Sequence, residues 1–398
     1  MSIYLDNAAT TKVKKEVLKT INDYLVHDWY NPSALYKPAQ EIKGKLKWAK
    51  LMIGATIGAN ENQIYFTSSG SEANSWVIQG FKKKYPNARI ITTPIEHKSI
   101  LETYESICMK HNYLNIDKTT GQINTDELGR YLVELQSCNI PTLVSVQWVN
   151  NETGIIQDIE KISEIVHKHG AYLHTDAVQA YSHIPINVKN IDIDFMSVSG
   201  HKFGCPKGIG FLYIKEYKSI DPLIYGTQER GMRGGTENIP YIMGMAKAAE
   251  LNLNRLAHYD YIRKNNIING VYFKYNLEKL GCTINFKNNY HKLNNVISCT
   301  LPKSNVAEYV IRMLSMKEIY VSAGSACNSM SNKPSYVLKK MGLTNEEIMR
   351  TIRISFSDGL TKDQIDIVIG ALKSIIVKGD DENDKENKRT ISSTKELH

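Results

Sequence analysis

Apolar residues recur along the chain at two spacings. Four residues spaced four apart predict an amphipathic helix over residues 12–27, and similar patterns predict helices over residues 71–84 and 158–169. The four residues are Val13, Val17, Ile21 and Leu25. Short β-rich runs between the helical patterns predict strands. These runs are Gln63–Phe66, Ala88–Thr92, Thr142–Val146, Tyr172–His174, Phe195–Val198 and Gly210–Ile214.

The alternation of strands and helices from about residue 64 predicts an α/β fold with a mostly parallel sheet covered on both faces. After about residue 255 a long helical stretch leads to a strand at Asn295–Thr300. We therefore expect a large α/β domain over residues 12–255. A smaller α+β domain is expected to combine residues 1–11 with 256–378. The polar tail, residues 379–398, has no apolar anchors and is expected to be disordered.

Composition limits the class of protein. The 398 residues are 42% hydrophobic and 23% charged, as in soluble globular proteins, and no apolar run suggests a membrane partner. Six cysteines without paired spacing favour free thiols in the cytoplasm over disulfides or a metal site, and no secretory signal is visible. The net charge of +8 includes lysines at helical spacing, which are typical of solvated helix faces. Direct nucleic-acid binding is therefore not expected.

A lysine and an aspartate each end a predicted strand. Lys202 closes the segment Ser199–Lys202, and Asp176 follows the run at Tyr172–His174. The lysine can form a Schiff base with pyridoxal phosphate (PLP), and the aspartate can keep the pyridine nitrogen protonated. Gln179 would bond the phenolic oxygen of the ring. Taken alone, Lys202 has an ordinary explanation as a surface lysine.

Two further segments suit the same ligand. The turn around Gly70 lies between a strand and a helix, where backbone N–H groups and the helix N-terminus favour phosphate. Such a turn can equally be a plain helix cap. His97 follows another strand and can transfer protons near neutral pH, although most isolated histidines are structural.

An arginine and a cysteine are candidates for acting on the substrate. Arg353 is a lone cation in a β-like run, where it can bind a carboxylate bidentately or serve as an ordinary strand-edge residue. Cys327 has small and polar neighbours and is a candidate reactive thiol, whereas Cys205, between Gly204 and Pro206, is expected to pack in the interior.

Together these motifs resemble the group I cysteine desulfurases, class-V relatives of the fold-type I PLP-dependent transferases. The resemblance extends over about residues 3–375. It implies a large domain with a mostly parallel seven-stranded sheet and a smaller α+β domain that carries the cysteine loop. The matching segments are Tyr4–Thr11, Asn31–Ser33, Thr67–Asn74, Glu96–Lys98, Val149–Glu152, His174–Gln179, Ser199–Lys202, Gln228–Asn238, Gly324–Cys327 and Arg353–Ser355.

The resemblance also implies roles for single residues. Lys202 would be the Schiff-base lysine, Cys327 the persulfide-forming nucleophile and His97 a proton carrier. Arg353 and Asn151 would hold the substrate carboxylate. Thr236 would reach the phosphate from the other subunit, which implies a homodimer. The remaining cofactor contacts would come from Gly70, Ser71, His97, Asn151, Asp176, Gln179, Ser199 and His201.

The implied reaction converts L-cysteine to L-alanine and passes sulfur through a persulfide to an acceptor protein. That acceptor would serve iron–sulfur cluster assembly or the thiolation of tRNA or DNA. A selenocysteine lyase or another class-V PLP enzyme is the alternative. A non-catalytic subunit is disfavoured because Lys202, Asp176, His97 and Cys327 occur together.

Overall fold

A computed structural model describes residues 2–108, 112–324 and 334–376. Cys327 and the predicted tail, residues 379–398, lie outside this part. The helices are α1 Lys15–Val26, α2 Lys37–Ala55, α3 Gly70–Lys84, α4 Lys98–Ile107, α5 Thr125–Ser137, α6 Ile159–Lys168, α7 Ile239–Leu256, α8 Tyr259–Lys279, α9 Ala307–Met316, α10 Tyr336–Lys340 and α11 Asn345–Met349. Residues 362–376 are also helical.

The strands are short, and most are buried. They are β1 Ile3–Tyr4, β2 Ile64–Thr67, β3 Arg89–Thr92, β4 Asn112–Tyr113, β5 Thr142–Gln147, β6 Tyr172–Asp176, β7 Phe195–Ser199, β8 Gly210–Ile214, β9 Thr283–Ile284, β10 Val296–Thr300, β11 Ile319–Tyr320, β12 Ser322–Ala323 and β13 Thr351–Ser355. The six predicted strands of the alternating region are all present within a residue or two of their expected bounds.

A seven-stranded sheet in the order β2-β8-β7-β6-β5-β3-β4 forms the centre of the fold. β8 runs antiparallel to both of its neighbours, and the other strand pairs are parallel. Leu143 packs with α3 and α4 on one face, whereas Val144 packs with α2, α5, α6 and α7 on the other. Helices therefore cover both faces, and the expected α/β fold with a mostly parallel sheet is confirmed.

Local signals set the ends of the helices. In α3, the Ser69 side chain accepts from the Glu72 backbone N–H, and three lysines occupy the last turn, where they complement the helix dipole. In α1, Val17 and Ile21 are buried as predicted. Leu25, the last member of the predicted apolar stripe, is instead 55% exposed near the C-terminal end of α1.

A second sheet has the order β12-β13-β10-β9, with β13 antiparallel to β10. The N-terminal segment lies against this part of the molecule. Leu5 donates its backbone N–H to Tyr320 O, and its own carbonyl accepts from Ser355 N, each at 2.8 Å. Leu5 is fully buried in a cluster with Phe273 and Ile352. The exact domain boundaries stay a prediction from the sequence.

Candidate active site

A cavity of about 440 Å³ opens at the carboxyl edge of the seven-stranded sheet. The ends of β6 and β7 and the turn from β2 into α3 meet there, because these strands run in one direction. Ten residues predicted from the sequence line this one cavity: Gly70, Ser71, His97, Asn151, Asp176, Gln179, Ser199, His201, Lys202 and Arg353.

Lys202 lies in a short 3-10 turn directly after β7. Its Nζ donates to the carbonyl oxygens of Ala8 at 2.6 Å and Ala9 at 2.8 Å. Gln179 Nε2 donates to the same Ala8 oxygen at 2.8 Å. The N-terminal segment therefore positions the amine that the sequence assigned to the Schiff base.

Asp176 is the last residue of β6 and is buried. Its Oδ1 accepts from Val178 N at 2.9 Å, and its Oδ2 accepts from Asn74 Nδ2 at 2.8 Å. Both oxygens therefore have a donor, which fixes the plane of the carboxylate beside the cavity. Asn74 Oδ1 is buried and has no hydrogen-bond partner among the described residues.

A chain of hydrogen bonds links this aspartate to His97. Asn74 Nδ2 also donates to Ser99 Oγ at 3.0 Å, and Ser99 Oγ lies 2.8 Å from His97 Nδ1. His97 caps α4 and accepts the Ser99 backbone N–H at Nδ1, at 3.1 Å. Because Nδ1 accepts, the ring proton of the neutral imidazole resides on Nε2.

Arg353 is 1% exposed on β13. Its Nη2 donates to Asp6 Oδ1 at 2.7 Å, and its Nη1 donates to Asn151 O at 2.9 Å. Its Nε has no partner among the described residues. The guanidinium is therefore held from two sides, and its Nε–H is among the donors that no described residue occupies.

Glu152 lies next to these residues and is also buried. Burial raises the pKa of its carboxyl to about 7, although the Ser335 hydroxyl, which donates to Oε2 at 2.6 Å, and the charge of Arg353 both lower it. Glu152 therefore changes its charge near neutral pH inside the cavity wall.

Gly70 and His201 shape the part of the cavity expected to hold phosphate. A Cβ on Gly70 would lie 2.7 Å from Val178 Cγ2, so only glycine fits this first position of α3. His201 Nδ1 lies 3.1 Å from Thr10 Oγ1. Burial, followed by the charges of Lys202 and Lys207, lowers the His201 pKa to about 4, so its ring is neutral at neutral pH.

These observations fit PLP. An amine, a buried carboxylate and a glycine at the N-terminus of a long helix line one cavity, and PLP has an aldehyde, a pyridine nitrogen and a phosphate. Thr236 lies elsewhere: it lines a separate cavity of about 200 Å³ with Arg233 and Glu237. Cys205 is 1% exposed, as predicted, and burial raises the pKa of its thiol.

Sequence reasoning did not single out Asp6, Asn74, Ser99 or Glu152. Asp6, Asn74 and Glu152 lie inside motifs that the sequence analysis quoted. Asn74 is one helical turn after Gly70, and residues at this spacing share a helix face. That spacing could have identified Asn74 as a site residue. For Ser99, the sequence offers only its closeness to His97.

Comparisons with known proteins identify the family of this chain. Residues 3–368 match the aminotransferase class-V family. The cysteine desulfurase IscS of Methanosarcina thermophila is 37% identical over 386 residues, which is 95% of this chain and 92% of that protein. A solved NifS-like protein superimposes with a TM-score of 0.84 at 30% identity, over 95% of this chain and 100% of its own.

A second solved structure, SspA in complex with cysteine, has a TM-score of 0.74 at 33% identity, over 89% of this chain and 99% of its own. Because a match of nearly the whole chain accompanies the lysine, aspartate and arginine in one cavity, the sequence-based family assignment is confirmed. The protein is a PLP-dependent member of the aminotransferase class-V family and belongs to its cysteine desulfurases.

Proposed function

We propose that this protein converts L-cysteine to L-alanine and transfers the sulfur to Cys327 as a persulfide. The observation that carries the proposal is that Lys202, Asp176, His97 and Arg353 all line a single cavity. An amine, a carboxylate, an imidazole and a guanidinium can serve the PLP aldehyde, the pyridine nitrogen, proton transfer and the substrate carboxylate, respectively. The relative that was solved with cysteine supports the same substrate.

The residues divide the work of holding the cofactor. Asp176 would face the pyridine nitrogen, since its carboxylate is fixed by Val178 and Asn74. Gly70, Ser71, Ser199 and His201 would surround the phosphate at the start of α3. When bound, PLP supplies an electron sink for the pair released at the substrate α-carbon.

Three side chains act on the substrate. Arg353 would bind the α-carboxylate through its unused donors, with the Asn151 side chain beside it. With PLP and the substrate bound, Lys202 Nζ would be the base that removes the substrate α-proton. His97 would move a proton at Nε2, because its Nδ1 is occupied by Ser99.

Cys327 lies outside the described residues, and its role comes from the motif that contains it. Its thiolate would attack the substrate sulfur. A sulfur–sulfur bond forms, the carbon–sulfur bond breaks, and the electron pair of that bond stays with the carbon fragment. Protonation of that fragment, followed by release, gives alanine. A thiol acceptor then takes the outer sulfur.

The test is alanine release by the PLP-loaded protein from L-cysteine with excess thiol reductant. Cys327→Ala should lose alanine formation and keep the absorbance of bound PLP. Cys138→Ala is the matched control, because Cys138 is an exposed free thiol. Wild-type turnover retained in Cys327→Ala would contradict the proposal, and efficient selenocysteine turnover by that variant would favour a selenocysteine lyase.

We also propose a homodimer. Thr236 is not in the cavity of its own chain but lines a neighbouring one, as expected for a residue that serves the partner's phosphate site. A surface suited to a second copy lies at the C-terminal end of α1 and in the residues that follow it, where large apolar side chains are exposed. They are Leu25, Val26, Trp29, Leu35 and Tyr36, which we call the α1 apolar surface.

The sulfur acceptor would be a protein of iron–sulfur cluster assembly or of nucleic-acid thiolation. The IscS name of the Methanosarcina thermophila relative supports this class. We also propose a cytoplasmic location, since Cys108, Cys138, Cys205, Cys282 and Cys299 are all free thiols. In the part of the chain that the structure describes, no helix is long and apolar enough to cross a membrane. Partners trapped as mixed disulfides on Cys327 would identify the acceptor.

A further inference from the structure

A second cavity, of about 380 Å³, lies between one face of α8 and the segment 287–295. His183, Ile184 and Arg255 also line it. Among the described residues, none lines both this cavity and the active site. The size lies within the range of small-molecule sites. We call it the α8 cavity.

The charged side chains that line the α8 cavity are all positive among the described residues. Its described lining contains no aspartate or glutamate. Two carboxylates lie behind it, and both are engaged: Asp358 binds Arg255 at 2.5 and 3.0 Å, and Glu278 lies 3.5 Å from Lys287. The cationic residues of the lining are Arg255, Arg263, Lys274, Lys287 and Lys292.

Lys274 and Lys292 have no negatively charged partner among the described residues. Lys274 Nζ donates to Asn294 Oδ1 at 3.1 Å, and Lys292 Nζ donates to Phe286 O at 3.0 Å. Both acceptors are uncharged. In the described ranges no carboxylate lies within 4.0 Å of Lys274, Lys292 or Arg263.

The pKa values of both lysines are lowered, which means that their surroundings disfavour the charged forms. Burial lowers the pKa of Lys274, and burial followed by repulsion from Lys274 lowers the pKa of Lys292 to about 8. Charges that are removed from water without a partner are costly. An anion between the two ammonium groups would remove this cost, because opposite charge favours their protonated forms.

Helix α8 packs closely against the opposite wall of the cavity, and this packing fixes the positions of the two lysines. A Cβ on Gly270 would lie 2.3 Å from Asn294 O, so the helix backbone packs directly against the segment that carries Lys292. Gly270 is one turn before Lys274 on the same face of α8. The two lysines are therefore fixed on facing walls, as a built site requires.

We propose that the α8 cavity binds a small polyanion that carries two adjacent phosphate groups. Lys274 and Lys292 would bind one phosphate from the two walls, and Arg263 would bind the second at the mouth, where its side chain is exposed. The exposed ring of Tyr290 and the side chain of Tyr259 would cover the organic part of a larger ligand. This site is independent of the desulfurase reaction.

The probe is pyrophosphate, titrated into PLP-loaded protein by calorimetry so that the cofactor site is already filled. We expect one saturable site per chain that weakens with added salt. The double variant Lys274→Gln and Lys292→Gln should weaken binding at least about tenfold, since it removes two charge-assisted contacts. Lys168→Gln is the control, because Lys168 is exposed on the distant helix α6.

Arg263→Gln keeps the test valid if the double variant does not fold, because Arg263 is exposed and has no described partner to lose. This variant should weaken binding about fivefold to tenfold. The proposal is overturned if pyrophosphate shows no saturable binding in the millimolar range. It is equally overturned if the double variant and Arg263→Gln bind it as tightly as Lys168→Gln does.

Discussion

Arg353 Nη2 donates to Asp6 Oδ1 at 2.7 Å, although the two residues are 347 positions apart in the sequence. The guanidinium that is proposed to bind the substrate carboxylate is therefore already paired with a carboxylate from the N-terminal segment. Asn151 O holds its other terminal nitrogen at 2.9 Å. Because Arg353 is 1% exposed, these two partners decide where its remaining donors point.

Asp6→Asn should raise the KM for L-cysteine about tenfold and change kcat less, since it removes the negative charge that pairs with Arg353 and positions it. Steady-state alanine release measures both constants. Asp126→Asn, at an acidic residue in the first turn of α5, is the control. An unchanged or lower KM in Asp6→Asn would show that Asp6 does not position the guanidinium.

Ser99→Ala should lower kcat about tenfold and shift the pH profile of kcat, while KM stays close to that of the wild type. The substitution breaks the link from Asn74 to His97, and a proton-transfer residue depends on its orientation. Ser75→Ala is a matched control, because Ser75 Oγ bonds Thr103 rather than His97. Equal kcat values and pH profiles in the two variants would refute this role.

Glu152→Gln should stabilise the protein above pH 7 by about 3 kcal/mol and leave its stability near pH 4.5 unchanged. Burial raises the pKa of Glu152 from 4.5 to about 7, so the folded state holds a proton that the unfolded state has lost. Wild-type stability therefore falls as pH rises between these two values, by about 1.4 kcal/mol for each unit of pKa.

Urea unfolding of Glu152→Gln and wild type at several pH values measures this difference. The glutamine can still accept the Ser335 hydroxyl bond. Glu160→Gln is the control, since Glu160 is exposed on α6. A difference between Glu152→Gln and wild type that does not change with pH would mean that the carboxyl does not titrate in this range.

Leu35→Glu should shift the protein from dimer to monomer and reduce alanine release, because Thr236 would then no longer reach the partner's cavity. Leu35 is 93% exposed in the α1 apolar surface, so a charge there costs nothing in the folded monomer but opposes burial in a dimer. Light scattering after gel filtration gives the mass. Val133→Glu, at a 55% exposed valine of α5, is the control.

Two results would contradict the assigned interface. A monomeric mass for the wild-type protein would contradict the proposed homodimer and the proposed role of Thr236. A Leu35→Glu protein that stays as dimeric as Val133→Glu would place the contact between subunits on another surface.

The strands were predictable because their signal is local. Tyr172–Asp176 and Phe195–Ser199 are runs of β-formers that end in polar residues, and parallel strands bring those ends to one edge. The two-residue edge strand Asn112–Tyr113 was not predicted by pattern. A strand that short has no period of its own and is defined by its pairing with Ile91 and Thr92.

The sequence by itself determined the fold class, the family and the placement of Lys202, Asp176, Gly70 and Arg353 in one site. Each of these depends on a motif or on a strand end, which a short stretch of chain encodes. Only the tertiary structure decided that Asp6 holds Arg353, that Ser99 and Asn74 join His97 to Asp176, and that Lys274 and Lys292 line the same cavity. These contacts join separate segments, so their geometry exists only once the segments have packed.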